Sequence, residues 1–138
     1  MLKTTVNDCN IIKLPKISER KGAITPLYGG LQVPFDIERI YYLYDVPGGE
    51  SRGGHAHKAL QQIIVSVMGA FDVVLDDGNE RRRVHLDRAY YGLHVQGMIW
   101  RELENFSSGG ICLVLASLPY DENDYIRDYD TYLREKKR

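Results

Sequence analysis

The sequence is poor in cysteine and contains no long apolar segment. Its two cysteines, Cys9 and Cys112, lie far apart and do not form a CxxC pair. Two cysteines in a chain of this size make neither a disulfide framework nor a cysteine-based zinc site, so both classes of protein are excluded. No window approaches the roughly 20 apolar residues that span a bilayer, and the N-terminus lacks the apolar core of a signal peptide. These absences predict a cytoplasmic protein with no membrane partner.

An excess of positive charge is also missing. The chain has 18 Lys and Arg residues against 19 Asp and Glu residues, which gives a formal net charge of −1. A nucleic-acid-binding domain usually carries a broad basic surface, so we expect no nucleic-acid partner and only local basic sites. The 43% hydrophobic and 27% charged residues are typical of a globular protein. A length of 138 residues then predicts one domain over residues 1–138.

Turn-forming residues interrupt the chain about every 8–12 residues, which is typical of an all-β protein. Candidate strands are 10–14, 22–27, 37–44, 62–68, 71–75, 81–86, 91–95, 99–106 and 110–117. The turn sequence at 76–79 predicts a hairpin, because Asp, Asn and Gly tolerate positive φ. The segment 111–115 is nearly all apolar and therefore needs cover on both faces. Two packed sheets or a barrel over about residues 10–118 would provide it.

The last segment, about 122–137, has a different pattern. Tyr125, Tyr129 and Tyr132 are spaced at i, i+4 and i+7, which would place their rings along one stripe of a helix. We therefore predict a C-terminal helix over about 122–137 that packs on the outside of the barrel.

A pair of histidines is the strongest functional signal. His55 and His57 are separated by one residue, so in an extended chain their side chains share a face, with Cα atoms roughly 6.5 Å apart. An imidazole has an ordinary pKa near 6.5, which suits acid–base chemistry at neutral pH. The alternative is that the pair merely closes a turn. The nearby glycines and the cations of Arg52 and Lys58 favour a site, because titratable groups cluster at sites.

The histidine pair also stands in a known sequence pattern. Together with Gly49 and Gly69 it resembles the first motif of the cupin superfamily, G-x5-H-x-H-x3,4-E-x6-G. Gln61 or Gln62 stands where that motif has its glutamate, and Trp100 stands where the second motif has its histidine. Two imidazoles without a carboxylate make a weak site for iron, zinc or manganese. We therefore predict no catalytic metal and no cofactor.

Longer stretches of the chain resemble one cupin family, the sugar 3,4-ketoisomerases. The resemblance runs from about residue 16 to residue 132, and its main segments are 39–45, 52–58, 75–79, 114–117 and 120–129. It implies an all-β cupin or jelly-roll barrel with a short C-terminal helix. The implied activity is a metal-independent isomerisation of dTDP-4-keto-6-deoxyglucose, in the biosynthesis of deoxysugars for lipopolysaccharide or S-layer glycans. By the same analogy we expect a homodimer, in which an N-terminal strand is exchanged.

The resemblance implies that a proton leaves sugar C3, that an enediol forms, and that reprotonation at C4 leaves the ketone at C3. The ketone at C4 acidifies the C3 proton, so a neutral imidazole within roughly 2.6–3.2 Å can remove it. We expect His57 to be the base and His55 the shuttle, although which of the two takes the first proton stays open, as does the galacto or gluco configuration of the product.

The remaining substrate contacts need hydrogen-bond donors. Tyr41, Arg52 and Gln62 are candidates for stabilising the enediolate oxygen. Lys58 and Arg101 are further candidates for binding the substrate.

Arginine is the residue that pairs best with a pyrophosphate, and we expect Arg39 and Arg52 to bind that of the substrate. Arg39 and Tyr41 share one face of a predicted strand, so both can enter one cavity. Tyr42 takes the other face, where we expect its ring to pack in the core.

Three other functions remain open at this point. Related cupins are 3,5-epimerases of the same sugar nucleotide, and others are metal-dependent oxygenases. A cupin that binds a sugar nucleotide without converting it is the non-enzymatic alternative.

Overall fold

The computed structural model describes residues 2–138, which form two five-stranded antiparallel sheets. The first sheet has the order β1-β9-β6-β11-β4 and the second the order β12-β5-β10-β7-β8, while β2 and β3 form a separate hairpin. The elements are β1 (Asn10–Lys13), β2 (Ile17–Glu19), β3 (Gly22–Ile24), β4 (Arg39–Leu43), β5 (Arg52–His57), β6 (Gln62–Met68), β7 (Phe71–Asp76), β8 (Arg81–Leu86), β9 (Tyr91–Val95), β10 (Trp100–Glu104), β11 (Ile111–Ala116), β12 (Tyr125–Ile126) and α1 (Tyr129–Lys136).

From β4 onward the chain crosses repeatedly between the two sheets, as in a jelly roll. Strands β4, β6, β9 and β11 belong to the first sheet, and β5, β7, β8, β10 and β12 belong to the second. The predicted all-β, cupin-type jelly roll with a short C-terminal helix is confirmed. Each sheet keeps its own hydrogen-bonded ladder, so the barrel consists of two facing sheets.

The main core lies between the sheets, where apolar side chains alternate inward. Phe71, Val73 and Leu75 of β7 are completely buried there. On β11, Val114 packs into this core while Leu115 packs into a second cluster on the outer face of the first sheet. This strand is therefore covered on both faces, as its apolar sequence predicted.

The predicted C-terminal helix was wrong in its first half. A short 3-10 turn covers Glu122–Asp124, the residues Tyr125–Ile126 form β12, and the α-helix begins only at Tyr129. The helix begins there because the carboxylate of Asp128 accepts the backbone N–H of Thr131 and so caps its first turn. Across residues 2–138, no helical segment has the length and apolar character needed to traverse a bilayer.

The tyrosine stripe is consequently broken. Tyr129 and Tyr132 do pack together on the helix, with ring centroids 6.0 Å apart. Tyr125 lies instead on β12, at the edge of the second sheet, where it pairs with His57 of β5. This pairing brings the C-terminal segment to the histidine pair.

Candidate functional site

A cavity of about 500 Å³ opens between the two sheets. Its volume lies within the usual range for a small-molecule site, roughly 300–1,000 Å³. The apolar side chains of its lining come from four strands of the two sheets, and they are Ile40, Leu43, Ile64, Leu103 and Val114. The polar ones are Arg39, Tyr41, Arg52, His55, Gln62, Arg101, Tyr125 and Arg127. Because apolar and polar side chains face the same cavity, it suits a ligand that has both apolar and polar parts.

A glycine pair in β5 positions the first histidine. Gly53 and Gly54 have φ values of +95° and +94°, a conformation that other residues rarely adopt. In the ladder with β10, His55 pairs with Arg101 and Gly53 pairs with Glu102, so Gly54 is an extra, unpaired residue. This is a β-bulge, which re-aims the next side chain. The segment Arg52–His57, which is absent from the candidate strands of the sequence analysis, is therefore a strand with an irregular start.

The two histidines differ in their access to the cavity. Their rings meet edge to face, with centroids 4.9 Å apart. His55 lines the cavity, whereas His57 is completely buried and lies outside the lining, against the ring of Tyr125 at 4.3 Å. Within residues 2–138, the Nε2 atoms of both rings are buried without a hydrogen-bond partner. A ligand in the cavity therefore meets His55 first.

Both imidazoles are neutral at physiological pH. Burial lowers the pKa of His55 to about 3, and the nearby charges of Arg101 and Arg127 lower it further in the same direction. Burial likewise lowers the pKa of His57 to about 2, and the nearby Arg101 and His55 contribute to the same lowering. A neutral imidazole has a free lone pair, so the pair is in the form that accepts a proton.

An aspartate that the sequence analysis did not single out contacts the buried histidine. The Oδ2 atom of Asp124 lies 3.2 Å from Nδ1 of His57. The same carboxylate accepts the backbone N–H groups of Ala59, at 2.9 Å, and of Leu60, at 3.2 Å. The sequence analysis predicted a helix over this segment, so the pairing of β12 with β5 that brings Asp124 to His57 was not foreseen.

Arg101 places a buried positive charge in the cavity lining. Its side chain is 2% exposed, and within the described chain it forms no ion pair. Its Nη1 donates to Oε1 of Gln62 at 2.7 Å, and Nε2 of Gln62 donates to the hydroxyl of Tyr41 at 3.0 Å. Burial lowers the pKa of Arg101 only to about 10, so the guanidinium stays charged at neutral pH.

The hydroxyl proton of Tyr41 is left free by this chain of donors. Its oxygen accepts from Gln62, and burial raises the pKa of Tyr41, so the phenol stays protonated. The O–H group can therefore donate to an oxygen atom of a ligand.

Arg39 faces the cavity with unused donors. Its Nε and Nη2 atoms are buried, and none of residues 2–138 accepts from them. The guanidinium carbon lies 5.1 Å from the ring centroid of Tyr41 and 5.6 Å from that of Tyr120. Unsatisfied buried donors of a cation are costly, and an anionic ligand would satisfy them.

The cavity lining is strongly cationic. Over the described range it includes four arginines, Arg39, Arg52, Arg101 and Arg127, and no carboxylate. Arg127 is anchored from outside by Glu122, whose two oxygens accept from its Nε and Nη2 at 2.6 and 2.9 Å. The net charge left room only for local basic sites, and this cavity is such a site.

Most of the residues that the sequence suggested line this cavity, and they are Arg39, Tyr41, Arg52, His55, Gln62 and Arg101. Lys58 does not. It follows the last residue of β5, its side chain is exposed, and it is absent from the lining. Alternation along the extended chain turns it away from the face of His57, so its expected contact with a ligand stays a prediction that the cavity lining does not support.

The register of β10 also differs from the motif comparison. Trp100, which was aligned with the motif histidine, packs outside the cavity against Tyr129 and Tyr132, with centroids 5.2 and 5.7 Å away. The next residue, Arg101, pairs with His55 and points inward. Because successive side chains of a strand point to opposite faces, Arg101 faces the cavity and Trp100 faces away from it.

The donor set offers little to a metal. In the part of the chain that the structure describes, no group of three or more His, Cys, Asp or Glu residues is arranged to hold an ion. The absence of a metal and of a cofactor stays a prediction from the sequence.

Comparison with known proteins gives one family. The family model described as "FdtA: WxcM-like, C-terminal" matches residues 7–137. A curated relative from Aneurinibacillus thermoaerophilus, a TDP-4-oxo-6-deoxy-alpha-D-glucose-3,4-oxoisomerase, is 43% identical over 122 residues, which cover 88% of each chain.

Solved structures give the same result. A mutant 3,4-ketoisomerase from Thermoanaerobacterium thermosaccharolyticum, in complex with TDP-4-keto-6-deoxyglucose, is 38% identical with a TM-score of 0.92 over 94% of each chain. A 3,4-ketoisomerase from Helicobacter canadensis is 40% identical with a TM-score of 0.92, over 95% of this chain and 98% of that one. A TDP-quinovose 3,4-ketoisomerase from Campylobacter jejuni is 41% identical with a TM-score of 0.88, over 92% and 98%.

The neutral histidine pair predicts a specific pH dependence. The folded pKa values of about 3 for His55 and about 2 for His57 lie below the ordinary value near 6.5. As pH falls below about 6.5, the unfolded chain binds protons that the folded chain does not, so these two groups make the fold less stable toward about pH 3. NMR titration should therefore show both rings neutral down to about pH 5.

Urea unfolding measures the same effect. The double variant His55→Asn and His57→Asn should lose less stability than the wild-type chain between about pH 7 and about pH 4.5, because two of the proton-linked groups are gone. Titration of either ring near its ordinary pKa, or an equal loss of stability in both proteins, would contradict the assignment.

Proposed function

The chain belongs to the FdtA and WxcM-like family of sugar-nucleotide 3,4-ketoisomerases, and we propose that its cavity moves the ketone of dTDP-4-keto-6-deoxyglucose from C4 to C3. The chain is thus an isomerase, an intramolecular oxidoreductase. The observation that carries the residue assignment is a neutral histidine, His55, on the wall of an arginine-lined cavity. A role in deoxysugar biosynthesis and a cytoplasmic location stay predictions from the sequence.

His55 is the group that removes the proton from C3. It lines the cavity and its Nε2 is free, whereas His57 is shielded behind it. We therefore reverse the roles expected from the sequence: His55 takes the first proton, and His57 assists from the second position. The electrons of the C3–H bond form the C3–C4 double bond, and the C4 oxygen takes up the negative charge.

Collapse of the enediol completes the reaction. The C3 hydroxyl passes its proton to the C4 oxygen as the C3 ketone forms, and C4 takes up the proton held by His55 or one that has exchanged with water. The proton on the C3 oxygen is thus balanced by one on the C4 oxygen, so no oxidant or reductant is consumed.

The negative charge on the enediolate oxygen requires donors. Tyr41 has a free O–H, and the chain from Arg101 through Gln62 polarises it. Because Arg101 is buried and charged, its field acts at low dielectric and stabilises an anion above it. Gln62 and Arg101 therefore act on the substrate through Tyr41.

The pyrophosphate fits the cationic part of the cavity. Arg39 offers two buried donors without a partner among residues 2–138, and the exposed side chain of Arg52 lines the same cavity. A guanidinium can pair with two phosphate oxygens at once, which fixes orientation as well as charge. Arg127, held by Glu122 and stacked 4.1 Å above the ring of Tyr125, adds a third cation.

Deuterium labelling tests the reaction. With dTDP-4-keto-6-deoxyglucose in deuterated water, we expect NMR to find deuterium at C4 of the 3-keto product. His55→Asn should lower turnover by about 100-fold or more and keep dTDP affinity within a few fold, because it removes the base and little binding surface. His85→Asn is the matched control: this histidine is exposed on β8 and contacts Asp72, so its rate should stay that of the wild-type chain.

Each other outcome identifies a different function. Deuterium at C3 and C5 without ketone migration would indicate a 3,5-epimerase. Tight binding without turnover would indicate a binding module. A wild-type rate in His55→Asn would contradict the assignment of the base.

We also propose a homodimer formed through the edge of the first sheet. On the outer face of β4, Ile40 and Tyr42 are exposed by 58% and 59%, and Tyr44, just after the strand, is exposed by 61%. The expected burial of Tyr42 in the core was therefore wrong. The β2–β3 hairpin carries exposed Ile17 and Ile24. Both an isolated hairpin and an open edge strand gain from pairing, so the hairpin of one copy against β4 of the other would satisfy both.

Sedimentation measures the dimer. The wild-type chain should sediment as a dimer, and Tyr42→Glu should shift it to a monomer because a charge would enter the apolar contact. Ile11→Glu is the control, since Ile11 is exposed on β1 at the opposite edge of the same sheet. A monomeric wild-type chain, or a dimeric Tyr42→Glu variant, would contradict this interface.

A further inference from the structure

Asp124 is fixed at the end of β5 by several contacts. Its Oδ1 accepts the N–H of Ala59, and its Oδ2 accepts the N–H of Leu60 and lies 3.2 Å from Nδ1 of His57. Its backbone carbonyl accepts the N–H of Lys58 at 2.8 Å. The next residue begins β12, which pairs with β5. The carboxylate is therefore held in one place relative to the histidine ring.

This contact determines which nitrogen of His57 carries the proton. A carboxylate that already accepts two backbone N–H groups is an acceptor, so the contact with Nδ1 is a hydrogen bond only if Nδ1 bears a hydrogen. The ring of His57 is neutral, and a neutral imidazole has one N–H group. Its Nε2, on the side of the ring away from Asp124, is then a bare acceptor, and no protein donor within the described residues occupies it.

The ring that carries this bare nitrogen packs against the ring of the proposed base. The ring of His57 meets that of His55 edge to face at 4.9 Å, and both are enclosed by Tyr125, at 4.3 and 5.2 Å. When His55 removes a proton it becomes an imidazolium among arginines, which is unfavourable. A neighbouring acceptor backed by a carboxylate offsets that charge.

We propose, on the basis of the function proposed above, that Asp124 is a positioning residue for the isomerisation. It holds His57 in the Nδ1–H tautomer and thereby keeps a proton acceptor next to His55. Asp124 touches neither the cavity nor the substrate, so it acts only through His57.

A purely structural role for Asp124 is the competing explanation, because the carboxylate also anchors the start of the β5–β6 connection. Asp124→Asn separates the two roles. The amide keeps the size of the side chain and one carbonyl oxygen for the backbone donors. Its NH2 group can donate to Nδ1 of His57, which would force the Nε2–H tautomer.

The tautomer is read directly from 15N chemical shifts of the histidine ring at neutral pH. We expect Nδ1–H in the wild-type chain and Nε2–H in Asp124→Asn. Asp121→Asn is the matched control, because Asp121 caps the same 3-10 turn through the N–H of Asn123 and has no contact with His57. It should leave both the tautomer and the rate unchanged. Nε2–H in the wild-type chain would overturn the proposal, whatever the activity.

Turnover measures the consequence. Asp124→Asn should lower kcat by about 10- to 100-fold with KM within about twofold, as for other residues that orient a functional imidazole. Combined with His57→Asn it should add nothing to the loss caused by His57→Asn alone. An unchanged kcat, or additive losses, would overturn the role of Asp124. Normal turnover in His55→Asn would instead reject the proposed base, and the NMR result would still stand.

Discussion

The pairing of β5 with two partner strands is the constraint on which the site depends. On one side β10 places Arg101 beside His55, and on the other β12 places Tyr125 beside His57. Within β5, Gly54 has no partner on β10, so the register shifts by one residue and His55 turns into the cavity. Base, buried cation and aromatic support are therefore set by backbone hydrogen bonds.

A single electrostatic arrangement serves both binding and catalysis. Four arginines without a lining carboxylate, within residues 2–138, favour an anionic ligand such as a pyrophosphate. Burial and the charge of Arg101 also lower the pKa of His55 and so keep it in the basic form. The cost is that the imidazolium formed during the reaction is unfavourable there. Asp124, placed behind His57 and outside the cavity, offsets that cost without repelling the ligand.

The sequence predicted the features that depend on local patterns. The all-β class follows from the regular spacing of turn residues, the two-sided burial of 111–115 from its apolar run, and the shared face of Arg39 and Tyr41 from a period of two. Features that depend on strand pairing were missed. Tyrosines at helical spacing concealed β12 and with it Asp124. The strand β5 was not among the candidates, because the glycines of a β-bulge are also typical of turns and loops. The inward turn of Arg101 depends on the register of β10, which no local pattern reports.

The central claim is that an anionic sugar nucleotide lies with its pyrophosphate on Arg39 and its sugar against His55. A crystal structure of the chain with dTDP tests this most directly. We expect pyrophosphate oxygens within hydrogen-bond distance of Nε and Nη2 of Arg39, the two buried donors that lack a partner among residues 2–138, and an open path from the terminal phosphate to His55. Binding of dTDP on the exposed arginines of β8, with Arg39 still unpaired, would contradict it.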